Sequence, residues 1–226
     1  MLRATLFAAV ALIAAPAFAQ STPVTVVELF QSQGCSSCPP ANANVNALIA
    51  SRPDVLALSY AVTYWDNLGW KDRFATPAYT QRQWDYAKGL RHDNVWTPQV
   101  IVNGRADTTG THDGQIAQLI ATTAKPAGPA VTISAGSVTV GKAAAAAPAD
   151  VWLVRYDPRT VAVSIKAGEN DGRTLPHRNI VHELTRLGDW NGASSVYKLP
   201  PAGAGLATAV LVQARRGGPI LAAARG

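Results

Sequence analysis

From Thr25 the chain runs TVVELF, nearly unbroken in apolar and β-branched residues, which predicts a strand buried in the middle of a sheet. The period then changes. Within PPANANVNALIASR (39–52), Ala41, Val45, Leu48 and Ile49 recur at helical offsets and mark one buried face. With Ser37 as N-cap, Pro39 and Pro40 fall in the first turn, where the N–H groups they lack have no intrahelical partner. A helix begun at Cys35 would instead lose hydrogen bonds at both prolines. VLALSYAV (55–62) predicts the next strand, and a strand–helix–strand unit of this length implies a right-handed crossover with parallel pairing. Hence TYWDNLGW (63–70) emerges at the same sheet edge as SQGC (32–35), the edge where open α/β sheets collect ligands.

Thr76-Pro77 has the form of an N-cap followed by a first helical residue. The helix it opens reaches about Leu90, with Tyr79, Gln83, Tyr86, Ala87 and Leu90 on one stripe. After it come a strand Gln99–Val102, an Asn103-Gly104 hairpin turn, a short return strand and a closing helix over 114–124. Around KPAGPA (125–130) the text shifts from helix-rich to strand-rich, which predicts a linker. From Val131 the segments VTISAGSVTV, VWLVRYD, VAVSIK, VYKL, ATAVLVQA and PILAAAR suggest about seven short strands of a sandwich. NIVHELTRLGDW (179–190) fits either a strand or a short helix. GENDGRTLPHRN (168–179) reads as a surface loop, with a docking surface or a lid over the cysteine edge as alternatives.

The N-terminus changes the setting. MLRATLFAAVALIAAPAFAQ places Arg3 before an apolar run that ends in Ala17-Phe18-Ala19, a small-residue cleavage pattern. This predicts a secretory signal over residues 1–19. The run is too short for a membrane span and contains a proline. The expected address is therefore periplasmic or secreted, with no membrane span after signal cleavage, and disulfides persist there. The formal net charge of +6 includes Arg3, and the basic residues are scattered without aromatic interleaving. That argues against nucleic acid as a partner.

Both cysteines of the chain lie in GCSSCPPA (34–41), at the start of the first predicted helix. Zinc sites built on Cys-x-x-Cys need a second Cys/His pair, and none is present. His177 and His182 are five apart, an odd offset that points them to opposite faces of a strand. As a brace the pair is weak: closing so short a loop removes about 2 kcal/mol of unfolded-state entropy, against about 3 for fifteen residues. A helix N-terminus, by contrast, stabilises a thiolate. Cys35, at the tip after Gly34, is expected to be the more exposed and hence the attacking thiol, and Cys38, one turn inside, resolves the mixed disulfide.

The order strand, Cys-x-x-Cys helix, strand, helix, Thr-Pro, hairpin, helix over Val24 to Ala124 resembles the thioredoxin fold, with Cys35, Cys38 and Pro98 at its motif positions. VVELFQSQGCSSCPPANANVNAL with YWDNLGWKD and TPQVIVNGR further resembles an uncharacterised family of secreted bacterial thioredoxin-like proteins, a domain of unknown function. The resemblance implies a cis peptide bond at Pro98, which would present the Thr97 backbone to a substrate chain, with an ordinary trans proline opening an edge strand as the plain alternative. Glu28 stands near the place of the buried acid of thioredoxins, one residue farther from the cysteines. It and Asp66 are the candidates for moving the Cys38 proton, with a hydrogen-bonded or loop-capping role as the plain alternative. Trp65, Trp70 and Trp96 cluster in the text around this edge, and Trp65 and Trp96 with Thr97 are the candidate substrate contacts.

The expected fold is α/β: a thioredoxin-like domain over residues 20–124, the 125–130 linker, and a small all-β sandwich over 131–226. The expected activity is thiol–disulfide exchange with a protein or small-molecule disulfide or dithiol and an unidentified redox partner. It calls for no cofactor and no metal. Two other classes stay open: binding of a soft ion such as copper by the two thiolates, and a noncatalytic interaction protein.

Overall fold

All seven residues of β1 (Thr25–Gln31) are buried, and so are all seven of β2 (Val55–Ala61), which pairs with it in parallel from Thr25↔Val55 to Gln31↔Ala61. Strands covered on both faces favour apolar residues on both, which is why neither shows strict alternation, with Glu28 as the one buried charge among them. The computed structural model describes residues 24–145 and 147–226; the expected signal segment lies outside them. Between the two strands runs α1 (Cys38–Ser51), preceded by Ser37 with prolines in its first turn. It packs through Ala41 and Val45 on Val27 and Leu29. On the opposite face α2 (Pro77–Leu90) lays Tyr79 and Tyr86 against Val26, Phe30 and Tyr60. Thr76 caps α2 by accepting from the Tyr79 N–H at 3.4 Å. β3 (Gln99–Val102) pairs antiparallel with β1 and turns into β4 (Ala106–Thr108) through Asn103-Gly104, both at positive φ as a tight hairpin demands. α3 (Gln115–Thr122) then adds Ile116 and Ile120 beneath α1.

Beyond this point the expected fold class is overturned. A thioredoxin-like α/β domain followed by a small sandwich requires the first sheet to end at β2, and it does not. β10 (Ile180–Trp190) lies alongside β2 in parallel, with Ile180 opposite Ser59. The Ser59 N–H donates to the Asn179 carbonyl at 2.9 Å, and the Asn179 amide donates to the Ala57 carbonyl at 2.7 Å. The sheet continues through β7 (Ala149–Asp157), β12 (Ala207–Ala214) and β13 (Ile220–Arg225). One mixed sheet of eight strands results, in the order β13-β12-β7-β10-β2-β1-β3-β4. Thirteen strands and three α-helices make the described chain mainly β.

The remaining strands form two small layers. β5 (Val131–Ser134), β6 (Ser137–Val140) and β11 (Ser195–Lys198) make a three-stranded sheet. Its Val131, Val138 and Val140 pack on Val151 and Leu153 of β7 and Val210 and Val212 of β12. The sandwich is thus a second layer on part of the large sheet. β8 (Val161–Ser164) and β9 (Thr174–His177) form a separate hairpin. Its base packs through Val163, Ile165 and Leu175 on Trp70 and Phe74, near the end of β2. His177 and His182 sit on different strands, β9 and β10.

Candidate functional site

Cys35 and Cys38 are joined as a disulfide across the start of α1, their Cα atoms 5.4 Å apart. Cys35 closes the turn after Gly34, and its N–H donates to the Ser32 carbonyl at 3.2 Å. Ser37 stands at the N-cap position but makes no side-chain cap. Its hydroxyl instead lies 3.3 Å from the Cys35 sulfur and donates to the Thr97 carbonyl at 3.4 Å. The same carbonyl lies 3.8 Å from the sulfur. The Thr97-Pro98 peptide is cis. Trp65 donates its indole N–H to the Thr97 hydroxyl at 2.7 Å, fixing that residue from the β2 side. Cysteine pair, Ser37, Thr97 and Trp65 therefore meet at one sheet edge, as parallel pairing of β1 and β2 requires.

The other sequence candidates have partners of their own. The Trp96 ring packs edge-on against His92, with centroids 5.0 Å apart, and its carbonyl accepts from Gln83. Trp70 donates to the Gln33 side chain at 2.9 Å, one layer behind the disulfide. Asp66 accepts from the Asp72 N–H at 3.1 Å. Asp72, which the sequence did not single out, is buried, and its carboxylate accepts the N–H groups of Gln33 and Phe74 at 3.0 Å each. Burial pushes its pKa up, against the lowering effect of those bonds.

Glu28 faces α2, away from α1. Its carboxylate takes two bonds from Arg82, at 2.8 and 3.1 Å, and a short one from the Tyr86 hydroxyl. Burial alone would push the Arg82 guanidinium down, but Glu28 and the two tyrosine hydroxyls nearby outweigh it and hold it charged. Burial, with Glu28 adding to it, drives Tyr60 and Tyr86 well above the ordinary phenol value. The signal for Arg82 was its place on the α2 stripe, between Tyr79 and Tyr86; its charge hid it.

The cysteines are not open to solvent. Cys35 is 0 % exposed and Cys38 1 %, although Ser36 and Ser37 between them are exposed. The far half of the chain helps to enclose their loop. Between β8 and β9 the segment Gly168–Gly172 folds over the cysteine loop, with both glycines at positive φ, 76° and 77°. Asn170, itself fully buried, donates its amide to the carbonyls of Gln33 and Cys35 at 2.8 Å each. The Glu169 carboxylate accepts the Ser36 N–H at 3.0 Å, and that bond holds its pKa below the usual value. Asn42 and Asn46 of α1 both donate to the Pro176 carbonyl, at 2.7 and 2.9 Å, and so fasten β9 to the helix. The stretch read from sequence as a surface loop, docking surface or lid therefore packs on the cysteine loop through residues 168–172 and forms β9 at 174–177. Among the described residues no cluster of three or more His, Cys, Asp or Glu side chains could hold a metal ion.

His177 anchors the same hairpin. It is buried with neither ring nitrogen hydrogen-bonded, and burial, with Arg73 nearby, lowers its pKa to about 4. The unfolded chain takes up this proton near pH 6.5, whereas the folded one resists until about 4. Stability is therefore full above pH 6.5 and is lost as the pH falls towards 4, by about 3 kcal/mol at one pKa unit per 1.4 kcal/mol. Replacement His177→Met should remove that slope. A denaturation series from pH 7.5 to 4.5 checks it, and equal slopes in both proteins would show that other groups set the acid limit.

A family profile described as "Protein of unknown function (DUF1223)" matches residues 26–213. Among solved structures, the crystal structure of a protein from Agrobacterium tumefaciens is 30% identical, covering 91% of this chain and 95% of that one at a TM-score of 0.74. HBP35 of Porphyromonas gingivalis is 14% identical over 90% of this chain and 74% of that one, with a TM-score of 0.57, a likeness of fold alone. No curated protein matches the chain.

Proposed function

The chain belongs to the DUF1223 family of proteins of unknown function, and from its own residues we propose that it carries out thiol–disulfide exchange at Cys35–Cys38, with segment 168–172 governing access. The observation that carries this reading is the disulfide's position, bridging the turn that leads into a fourteen-residue helix, beside the backbone carbonyl of Thr97. A four-residue loop is a poor brace, while helix N–H groups stabilise a thiolate that forms there. Export is part of the reading, since an oxidising compartment keeps such a bond formed.

The chemistry follows from the geometry. In the reduced protein the Cys35 thiolate attacks one sulfur of an incoming disulfide and expels the other as a thiolate, forming a mixed disulfide. Cys38, as thiolate, then attacks the Cys35 sulfur and releases the second substrate sulfur. Two electrons pass to the substrate and the pair is left oxidised; the reverse sequence oxidises a dithiol. Beside the Ser37 hydroxyl it already takes, the Thr97 carbonyl has a second lone pair that can accept a backbone N–H from an extended substrate. Ser37 can donate to a Cys35 thiolate from 3.3 Å. Attack on the covered pair requires Gly168–Gly172 to lift, and the two glycines supply the backbone freedom for it.

Complete burial of both sulfurs favours a second reading, a structural disulfide clamped by Asn170. Equilibration with glutathione at graded ratios separates the two. Exchange chemistry predicts a potential within the range of known oxidoreductases, between about −120 and −270 mV. A value below about −300 mV, where structural disulfides lie, would assign the bond to bracing instead. Titration of the reduced protein with Cu(I) tests the soft-ion alternative.

A further inference from the structure

The described residues include two deeply buried arginines in the large sheet and the helix against it, and they are treated differently. Arg82 has a bidentate carboxylate. Arg155, in β7, is only 4 % exposed, yet no carboxylate lies within 4.0 Å of it. Its recorded partners are neutral: one Nη donates to the Thr208 hydroxyl and the other to the Pro200 carbonyl at 2.6 Å. Nε is buried with no partner at all. Two of the five guanidinium donors are thus used. Glu183, its cross-strand neighbour in β10, accepts from the Thr185 hydroxyl at 2.8 Å instead. A buried, unpaired charge costs several kcal/mol.

Arg155 lines a cavity of about 390 Å³ between β7, β12 and the small sheet, which shares no residue with the disulfide site. Its other walls are largely carbon, from Ile133, Leu199, Pro200, Pro201 and Ala202. The volume lies within the ordinary range for small-molecule sites. We propose that this cavity binds a small organic monocarboxylate, its carboxylate on Arg155 and its apolar body against the proline-lined wall. A single fixed positive charge matches a monoanion. A phosphate dianion would leave one charge uncompensated among carbon walls. The side-by-side N–H groups of a guanidinium suit a two-oxygen acceptor, and each Nη keeps a second N–H beyond its bond to Thr208 or Pro200.

Benzoate and its uncharged counterpart benzyl alcohol, titrated calorimetrically into the intact mature protein, test the assignment. Benzoate should bind one to one, at least tenfold more tightly than benzyl alcohol, and should raise the melting midpoint. Arg155→Met should weaken benzoate at least tenfold while leaving the protein folded, because it removes the unpaired charge along with the site. Should that variant not fold, Ala202→Trp, at an exposed position on the cavity wall, must give the same tenfold loss. No benzoate binding by the parent, equal binding of the two probes, or benzoate affinity unchanged in a folded variant overturns the proposal.

Discussion

In Asn170→Ala, reduced Cys35 is expected to react with iodoacetamide about ten- to a hundredfold faster than in the parent protein. The wild-type amide closes the cover with two bonds, to the carbonyls of Gln33 and Cys35. Each such bond contributes about 0.5–1.5 kcal/mol net, so their joint loss shifts the closed-to-open balance by roughly 1–3 kcal/mol. When opening is fast, reaction of a covered group follows the open population, and each 1.4 kcal/mol is tenfold. Glu169→Gln adds a second readout. The carboxylate holds the Ser36 N–H, at the helix end where a Cys35 thiolate would form. Neutralising it favours the thiolate, so the Cys35 pKa should fall and the reduction potential rise. Thiolate absorbance against pH, together with glutathione equilibration, measures both. Alkylation at the parental rate in Asn170→Ala would mean that segment 168–172 is not what limits access.

The cover also marks the limit of what the sequence could tell. Local periodicity and proline placement were enough for β1, α1, β2, α2 and the β3–β4 hairpin, because each is decided by residues within a few positions of one another. Ser37 before Cys38-Pro39-Pro40 and Thr76 before Pro77 fixed two helix starts within a residue. Parallel pairing of β1 and β2 was enough to bring Trp65 to Thr97 and the cysteines. What failed was pairing over long range. An apolar run reports burial but not which strand lies beside it, so β10 joined to β2 through Asn179 and Ile180 left no local trace. The sheet therefore continued where a boundary between two separate folds was expected. Asn170 and Glu169 reach the cysteine loop from more than 130 residues away, and polar residues in a turn-rich stretch look the same whether they meet water or a buried carbonyl. Likewise, adjacency in sequence to Thr97 says nothing about which way the Trp96 ring turns, and it packs on His92.

The largest effect on stability is expected at the Glu28–Arg82 pair. Both partners are almost wholly buried, at 1 and 5 % side-chain exposure, and their bonds with Tyr86 close a network beneath Tyr60. Removing one partner leaves the other charge in the core, which costs about 3–5 kcal/mol. Glu28→Leu and Arg82→Met should each fall in that range, measured by denaturant unfolding of the oxidised protein. Removing both charges together should recover most of the loss, since well-packed apolar residues commonly replace a buried pair at little cost. Losses that simply add in the double variant would show that the two side chains are not coupled, against the bidentate geometry. Because the double variant keeps the fold, it also isolates the role of Glu28 in exchange. A carboxylate engaged by Arg82 and Tyr86 is poorly placed to carry the Cys38 proton, so the pH profile of disulfide exchange should match that of the parent. A profile whose alkaline limb moves on removal of the pair would instead make Glu28 a proton carrier acting through this network, and the same measurement on Asp66→Asn tests the other candidate.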